Sequence, residues 1–150
     1  MSQALALAKN GQGKSRPNPS VGAIIVKDNK VVGKGSHEIA GKDHAEVIAI
    51  KEAGLLTKGA DLYVTLEPCN HQGKTPPCTN SIISAGISKV YIAMQDPNPL
   101  VNGLGILHLE NNGLKVTKGI MEEEAKKLNL GFQTRMIKSK PYIRSKIAIS

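Results

Sequence analysis

At 150 residues the chain has room for one domain with a substantial core, and not for two full-sized enzymatic domains. Its 40% apolar and 21% charged residues, with no long biased tract, exclude a disordered chain, and no apolar run approaches the roughly 20 residues of a membrane helix. The net charge of +8 permits attraction to nucleic acid or to a phosphorylated small molecule, but only 3% of residues are aromatic, which argues against a base-stacking surface.

The N-terminus carries no signal-peptide pattern. Ser2 to Gly11 has the Ala/Leu content of a short helix, and the Gly-, Pro- and Asn-rich stretch from Gly11 to Pro19 is a loop and a candidate site rim. Two β-branched runs, Val21 to Lys27 and Val31 to His37, flank Asp28-Asn29-Lys30 and form a hairpin. His44 to Ala53 is a helix with a broad apolar face and Gly54 as its stop, which puts His44 and Glu46 in the first turn. Asp61 to Leu66, Thr79 to Ala85 and Lys89 to Met94 read as strand, helix and strand, and such an order implies a right-handed parallel crossover. A helix over Gly105 to Asn111, a short strand over Leu114 to Thr117 and one amphipathic helix over Glu122 to Ile137 follow. The tail from Lys140 to Ser150 alternates as a strand does and needs a partner. The whole is expected to be a layered α/β/α domain.

Chemistry concentrates where these elements begin and end. His44-Ala45-Glu46 opens one helix, Glu67-Pro68-Cys69 ends a strand, and Cys78 opens the next helix. With no secretory signal, Cys69 and Cys78 are expected to be reduced rather than disulfide-bonded, in a cytoplasmic protein. One imidazole and two thiolates suit zinc, and three protein ligands leave a fourth position for water, the mark of a catalytic site. Helix N-termini favour the thiolate forms. Glu46 lies two residues beyond His44, on another side of the ion, and is placed to handle protons rather than to coordinate. Taken singly, His44 could be an ordinary helix-start histidine and the cysteines buried thiols. Together with Pro68 they match the zinc-deaminase signature His-x-Glu followed by Pro-Cys and a further Cys.

The signature usually has two residues between the cysteines, whereas eight intervene here, Asn70 to Pro77. The segment from Thr65 to Cys78 with this long loop resembles the deaminase domain of the bifunctional riboflavin-biosynthesis deaminase/reductase, within the cytidine deaminase-like superfamily. Pro17-Asn18-Pro19 with Val21-Gly22, His44-Ala45-Glu46-Val47, Asp96-Pro97-Asn98-Pro99, and Leu128-Asn129 with Phe132 are similar to it as well, so the likeness covers nearly the whole chain. The resemblance implies a three-layer α/β/α sandwich on a mixed, mainly five-stranded sheet. It also implies a phosphorylated pyrimidine as substrate, 2,5-diamino-6-ribosylamino-4(3H)-pyrimidinone 5′-phosphate, whose ring amine is replaced by oxygen. It places Asn18, His37, His71, Lys74, Asp96 and Asn98 around that substrate, with Zn2+ on His44, Cys69 and Cys78. Five of the six have a plainer reading: turn residues for Asn18 and Asn98, a solvated charge for Lys74, structural histidines for His37 and His71.

Two positions depart from the family pattern, Asp43 for a proline and Asn70 for a serine; Asp43 is expected to cap the zinc helix. Residues 1–139 read as the deaminase domain, and residues 140–150 resemble the opening strand of a reductase domain that this chain does not contain. No Gly-x-Gly-x-x-Gly segment follows, so deamination without NADPH chemistry is expected. A homo-oligomer is compatible with this reading, and neither a membrane nor a nucleic acid is expected as partner. Two other classes share the same residues: a transfer-RNA adenosine deaminase, which would exploit the positive charge but usually has the short cysteine spacing, and a nonenzymatic module whose structural zinc takes His71 as fourth ligand.

Overall fold

Asp28 and Asn29 both adopt left-handed backbone, φ 49° and 60°, the geometry that lets a two-residue turn follow the right-handed twist of its strands. In the computed structural model, which describes residues 1–73, 75–143, 145 and 147, they join β1 (Gly22–Lys27) to β2 (Lys30–Ser36), and Lys27 faces Lys30. Lys30 thus opens the second strand instead of belonging to the turn.

The sheet continues through β3 (Asp61–Leu66), β4 (Lys89–Met94) and β5 (Lys115–Lys118) in the spatial order β2-β1-β3-β4-β5. β1 is antiparallel to both β2 and β3, while the β3–β4 and β4–β5 pairs are parallel. The sheet is mixed and five-stranded, as expected. Helices α1 (Ser2–Asn10), α2 (Ala45–Ala53), α3 (Cys78–Ser84), α4 (Leu104–Asn111), α5 (Glu122–Leu128) and α6 (Leu130–Lys138) follow the strands in the anticipated sequence. α1 and α5 pack on one face of the sheet; α2 lies on the other, beside α3, which in turn meets α4. Because both faces are covered, β3 and β4 bury side chains on both sides, and Ile25, Leu62, Val64, Ile82, Val90, Ile92 and Leu109 are fully enclosed. Burying one such side chain stabilises by about 1.5–3 kcal/mol, so this core fixes the two helix starts that carry the candidate ligands.

α2 sits unusually close to the hairpin. A Cβ built on Gly35 would fall on the carbonyl oxygen of Ala45, in the first turn of α2. Gly35→Ala should therefore push that turn away from the sheet. The expected result is a loss of about 1–3 kcal/mol of stability, read as a lowered Tm, with a larger fractional loss of activity than of folded protein.

Two elements differ from their expected form. The helix read over Glu122 to Ile137 breaks into α5 and α6 at Asn129, whose backbone leaves the helical region at φ −116° and ψ 25°. The cause is tertiary: buried Asn129 accepts a hydrogen bond from the Ser20 backbone N–H at Oδ1 (2.8 Å) and donates from Nδ2 to the Ser20 carbonyl (3.0 Å). The tail is not a strand among the described residues. Arg144, Lys146 and Ser150 lie outside them, and Pro141 and Tyr142 line a groove beside α6.

Candidate active site

The C-terminal end of β3, the start of α3 and the start of α2 meet at one point. This is the position at which open α/β sheets commonly place their chemistry, beyond the carboxyl ends of parallel strands. His44 is the N-cap of α2 in extended backbone (φ −75°, ψ 162°), and Glu46 follows in its first turn. Cys69 stands just beyond β3, and Cys78 opens α3 after Pro77. The long loop between the cysteines is pinned at its base: Thr79 donates from Oγ1 to Asn70 Oδ1 (2.8 Å) and from its backbone N–H to the Cys69 carbonyl (3.2 Å).

Asp43 does not cap the helix. His44 holds the N-cap position with no side-chain cap hydrogen bond, the Asp43 carboxylate instead pairs with Lys51 Nζ at 2.5 Å, and the Asp43 carbonyl accepts a hydrogen bond from His37 Nδ1 at 3.0 Å. Drawn toward Lys51, the carboxylate is directed away from the N–H groups of the first turn.

His44 Nδ1 lies 3.1 Å from Cys78 Sγ and 3.6 Å from Cys69 Sγ, and the ligand atoms of all three lie within 4.8 Å of one another. Tetrahedral zinc with ordinary Zn–S and Zn–N bonds spaces its ligands about 3.5–3.8 Å apart, so the donor set fits such an ion in type and spacing. Among the described residues this is the group of titratable side chains assembled to hold a metal, and His71 does not belong to it. A fourth protein ligand from His71 therefore lacks support.

The Cys69 thiol is pushed down to about 4 by a hydrogen bond from the Cys78 thiol, against the opposing effect of burial and with His44 and the Cys78 backbone N–H adding to the lowering. Cys78 is pushed up, first by that same donation and then by burial. His44 is raised by its hydrogen bond to Cys69, against the opposing effect of burial. Glu46 is 3% exposed, and burial raises its carboxyl above the usual range, with His44 acting in the opposite direction. A carboxyl made less acidic beside a metal-ligating cluster is suited to accept and return a proton near neutral pH.

A cavity of about 430 Å³ opens over this cluster. His44, Glu46 and Cys69 line it together with Asn18, His37, His71, Asp96 and Asn98. The cavity lining therefore brings together the sequence-derived candidates apart from Cys78, which is buried but clustered with His44 and Cys69, and Lys74, which lies outside the described residues. His37 is buried and neutral-leaning, its pKa lowered chiefly by burial. A carbonyl can only accept, so His37 Nδ1 carries the proton toward Asp43, and Nε2 accepts from Asn18 Nδ2 at 3.0 Å. His37 thereby fixes which way the Asn18 amide points. Asp96 is nearly buried, and desolvation pushes its carboxyl up to about 6 even though Oδ1 accepts the Asn98 backbone N–H at 2.8 Å. Asn98 Oδ1 in turn accepts from the Leu100 N–H (3.1 Å), so these two residues shape the turn while facing the cavity.

One residue of the site was missed in the sequence reading. Glu67, 3% exposed, accepts four backbone N–H groups: Asp96 (3.1 Å), Gly103 (2.9 Å), Gly105 (3.0 Å) and Ile106 (3.2 Å). It ties the strand that delivers Cys69 to the loop that carries Asp96 and to the start of α4. A carboxylate ending a buried apolar strand, Leu62 to Leu66, is the signal that could have marked it.

Residues 1–94 match the family described as the cytidine and deoxycytidylate deaminase zinc-binding region. The chain belongs to this deaminase family. Within it, the chain is 54% identical over 148 residues to the riboflavin biosynthesis protein RibD of Aquifex aeolicus, a match covering 99% of this chain and 42% of that protein. It is 51% identical over 136 residues to the diaminohydroxyphosphoribosylamino-pyrimidine deaminase of Buchnera aphidicola, covering 91% of this chain and 92% of that deaminase. A solved structure of Acinetobacter baumannii RibD superimposes with a TM-score of 0.92 at 50% identity, over 94% of this chain and 40% of that one. The chain spans about two fifths of the length of the RibD relatives it matches. The family fold is the three-layer α/β/α arrangement described above.

Proposed function

We propose that this chain hydrolyses 2,5-diamino-6-ribosylamino-4(3H)-pyrimidinone 5′-phosphate to 5-amino-6-ribosylamino-2,4(1H,3H)-pyrimidinedione 5′-phosphate and ammonia. The observation that carries the reading is the His44, Cys69 and Cys78 cluster with a buried Glu46 carboxyl beside it at the base of one cavity. It is supported by the 51% identity to a deaminase that the chain matches over nearly its whole length.

His44, Cys69 and Cys78 would hold Zn2+. When bound, zinc supplies Lewis-acid chemistry that makes water a usable nucleophile near pH 7. Glu46 takes a proton from the water that attacks the amine-bearing ring carbon and delivers it to the departing amine, so one carboxyl serves first as base and then as acid. The Asn18 amide, held by His37, and the Asp96–Asn98 turn, held by Glu67, position the ring over the cluster. Two free thiols at such a site belong in a reducing compartment, which favours the cytoplasm. Residues 1–139 would form the deaminase unit.

Ammonia release should be measured on a panel of the diamino-pyrimidinone phosphate, cytidine, and adenosine in a transfer-RNA stem-loop. Release from the first alone is expected, and release only from the stem-loop would overturn the reading. Lys74, in the loop between the cysteines, is assigned to the substrate phosphate. Lys74→Ala should weaken kcat/KM about tenfold or more for the phosphorylated substrate and much less for its dephosphorylated form, a contrast that equal losses would erase.

A further inference from the structure

Asn18 reaches the cavity from an irregular segment, residues 11–20, that belongs to no helix or strand. Inside the segment Ser15 is 1% exposed; its Oγ donates to the Asn18 carbonyl at 3.2 Å and lies 3.5 Å from Ser20 Oγ. The anchors from outside come from the other end of the chain. Asn129 takes both backbone polar groups of Ser20, at 2.8 and 3.0 Å, and Gln12 Nε2 donates to the Leu128 carbonyl at 3.4 Å. Arg135 Nη2 donates to the Pro17 carbonyl at 2.5 Å.

Two further observations give the Asn129 contact its meaning. Asn129 is 4% exposed, yet α6, which it opens, has no buried residue of its own. The helical run is therefore broken without adding an α6 side chain to the core, and what the break secures is the grip on Ser20. Pro17 and Pro19 flank Asn18. Proline fixes its own φ and restricts the residue before it, so Asn18-Pro19 is a stiff unit, and a shift at Ser20 is passed on to Asn18 instead of being absorbed between them.

Resting on the deamination reading, in which Asn18 helps to position the pyrimidine ring, we propose that Asn129 is a positioning residue for that amide. Asn129 does not line the cavity over the metal cluster, so it acts through Ser20 and the stiff unit, with the Ser15 hydroxyl bracing the same turn from inside. His37 sets which way the Asn18 amide points, and Asn129 sets where it stands.

A double-mutant cycle on the zinc-loaded full chain tests this. Asn129→Ala should lower kcat/KM for the pyrimidine phosphate about tenfold, since small misplacements of a positioning group cost this much or more. In an Asn18→Ala background the same substitution should cost less than about twofold, because the group it acts through is gone. The fall in Tm caused by Asn129→Ala should be the same in both backgrounds. A merely structural residue would lose the same factor of activity in both, and that result overturns the proposal. Ser15→Ala, which removes a hydroxyl with little change of volume, should show the same dependence on Asn18 with a loss of about threefold, and it decides the matter if Asn129→Ala fails to fold.

A second readout is independent of turnover. The Asn18 side-chain NH2 signals of nitrogen-15-labelled protein, assigned by their loss in Asn18→Ala, should broaden or split in Asn129→Ala while those of Asn98 stay unchanged. Unchanged Asn18 signals in a folded Asn129→Ala protein overturn the proposal whatever its activity. If wild-type protein releases no ammonia from the pyrimidine phosphate while the Asn18 signals still respond to Asn129→Ala, the deamination reading fails and the positioning of Asn18 by Asn129 is upheld.

Discussion

Glu46→Gln is expected to retain one zinc per chain and the wild-type fold while deamination falls by about 10²- to 10⁴-fold or more. The substitution is nearly isosteric, so the packing around this 3% exposed side chain is kept. What it removes is the ability to gain and lose a proton. Hydrolytic deamination asks for that ability twice, when water is deprotonated for attack and when the poor leaving amine must be protonated to depart as ammonia. Burial raises the Glu46 carboxyl, which brings its proton affinity nearer to the working pH and favours both transfers.

The neutral amide should also relieve the cost of holding a carboxyl in a dry site, so Glu46→Gln is expected to be at least as stable as wild type. That combination separates a proton-transfer role from a structural one. A buried carboxylate serving only to hold α2 would lose stability together with activity. The measurement is single-turnover ammonia release alongside Tm and zinc content. Activity within tenfold of wild type would remove Glu46 from the chemistry.

The features that were legible in the sequence are those that depend on neighbours along the chain. Asp28-Asn29 between β-branched runs announces its hairpin because left-handed backbone at both positions is a local property. The parallel β3–α3–β4 unit follows from the order of apolar runs. His44, Glu46, Cys69 and Cys78 could be selected because zinc chemistry restricts residue type and order. Features decided across the fold were not legible. Asn129 looks like one more polar position on an amphipathic helix until Ser20, 109 residues earlier, takes both ends of its amide and breaks the helix. Asp43 is a sound N-cap by composition, yet Lys51 and His37 claim its polar groups. Glu67 passes for an ordinary acid because its four partners all come from residues 96 to 106.

Cys69→Ser and Cys78→Ser are each expected to reduce zinc to a small fraction of one ion per chain and to abolish turnover. A serine hydroxyl is a harder and much less acidic donor than a thiol, and it replaces a thiolate poorly in a mixed nitrogen–sulfur site. The two substitutions should differ in what else they disturb. Cys69 is partly exposed at the end of β3 and receives the Cys78 backbone N–H at 3.4 Å, a contact that an oxygen can partly preserve. Cys78 is fully buried at the start of α3, so a hydroxyl there must find a hydrogen-bond partner among groups arranged for sulfur. Cys78→Ser should therefore lower Tm by more than Cys69→Ser when both are compared as metal-free proteins. Metal content by mass spectrometry, with Tm before and after chelation, measures both effects. Stoichiometric zinc in either variant would show that the missing thiolate is not a ligand. Equal Tm values for the two metal-free variants would leave ligation intact but refute the difference assigned to burial.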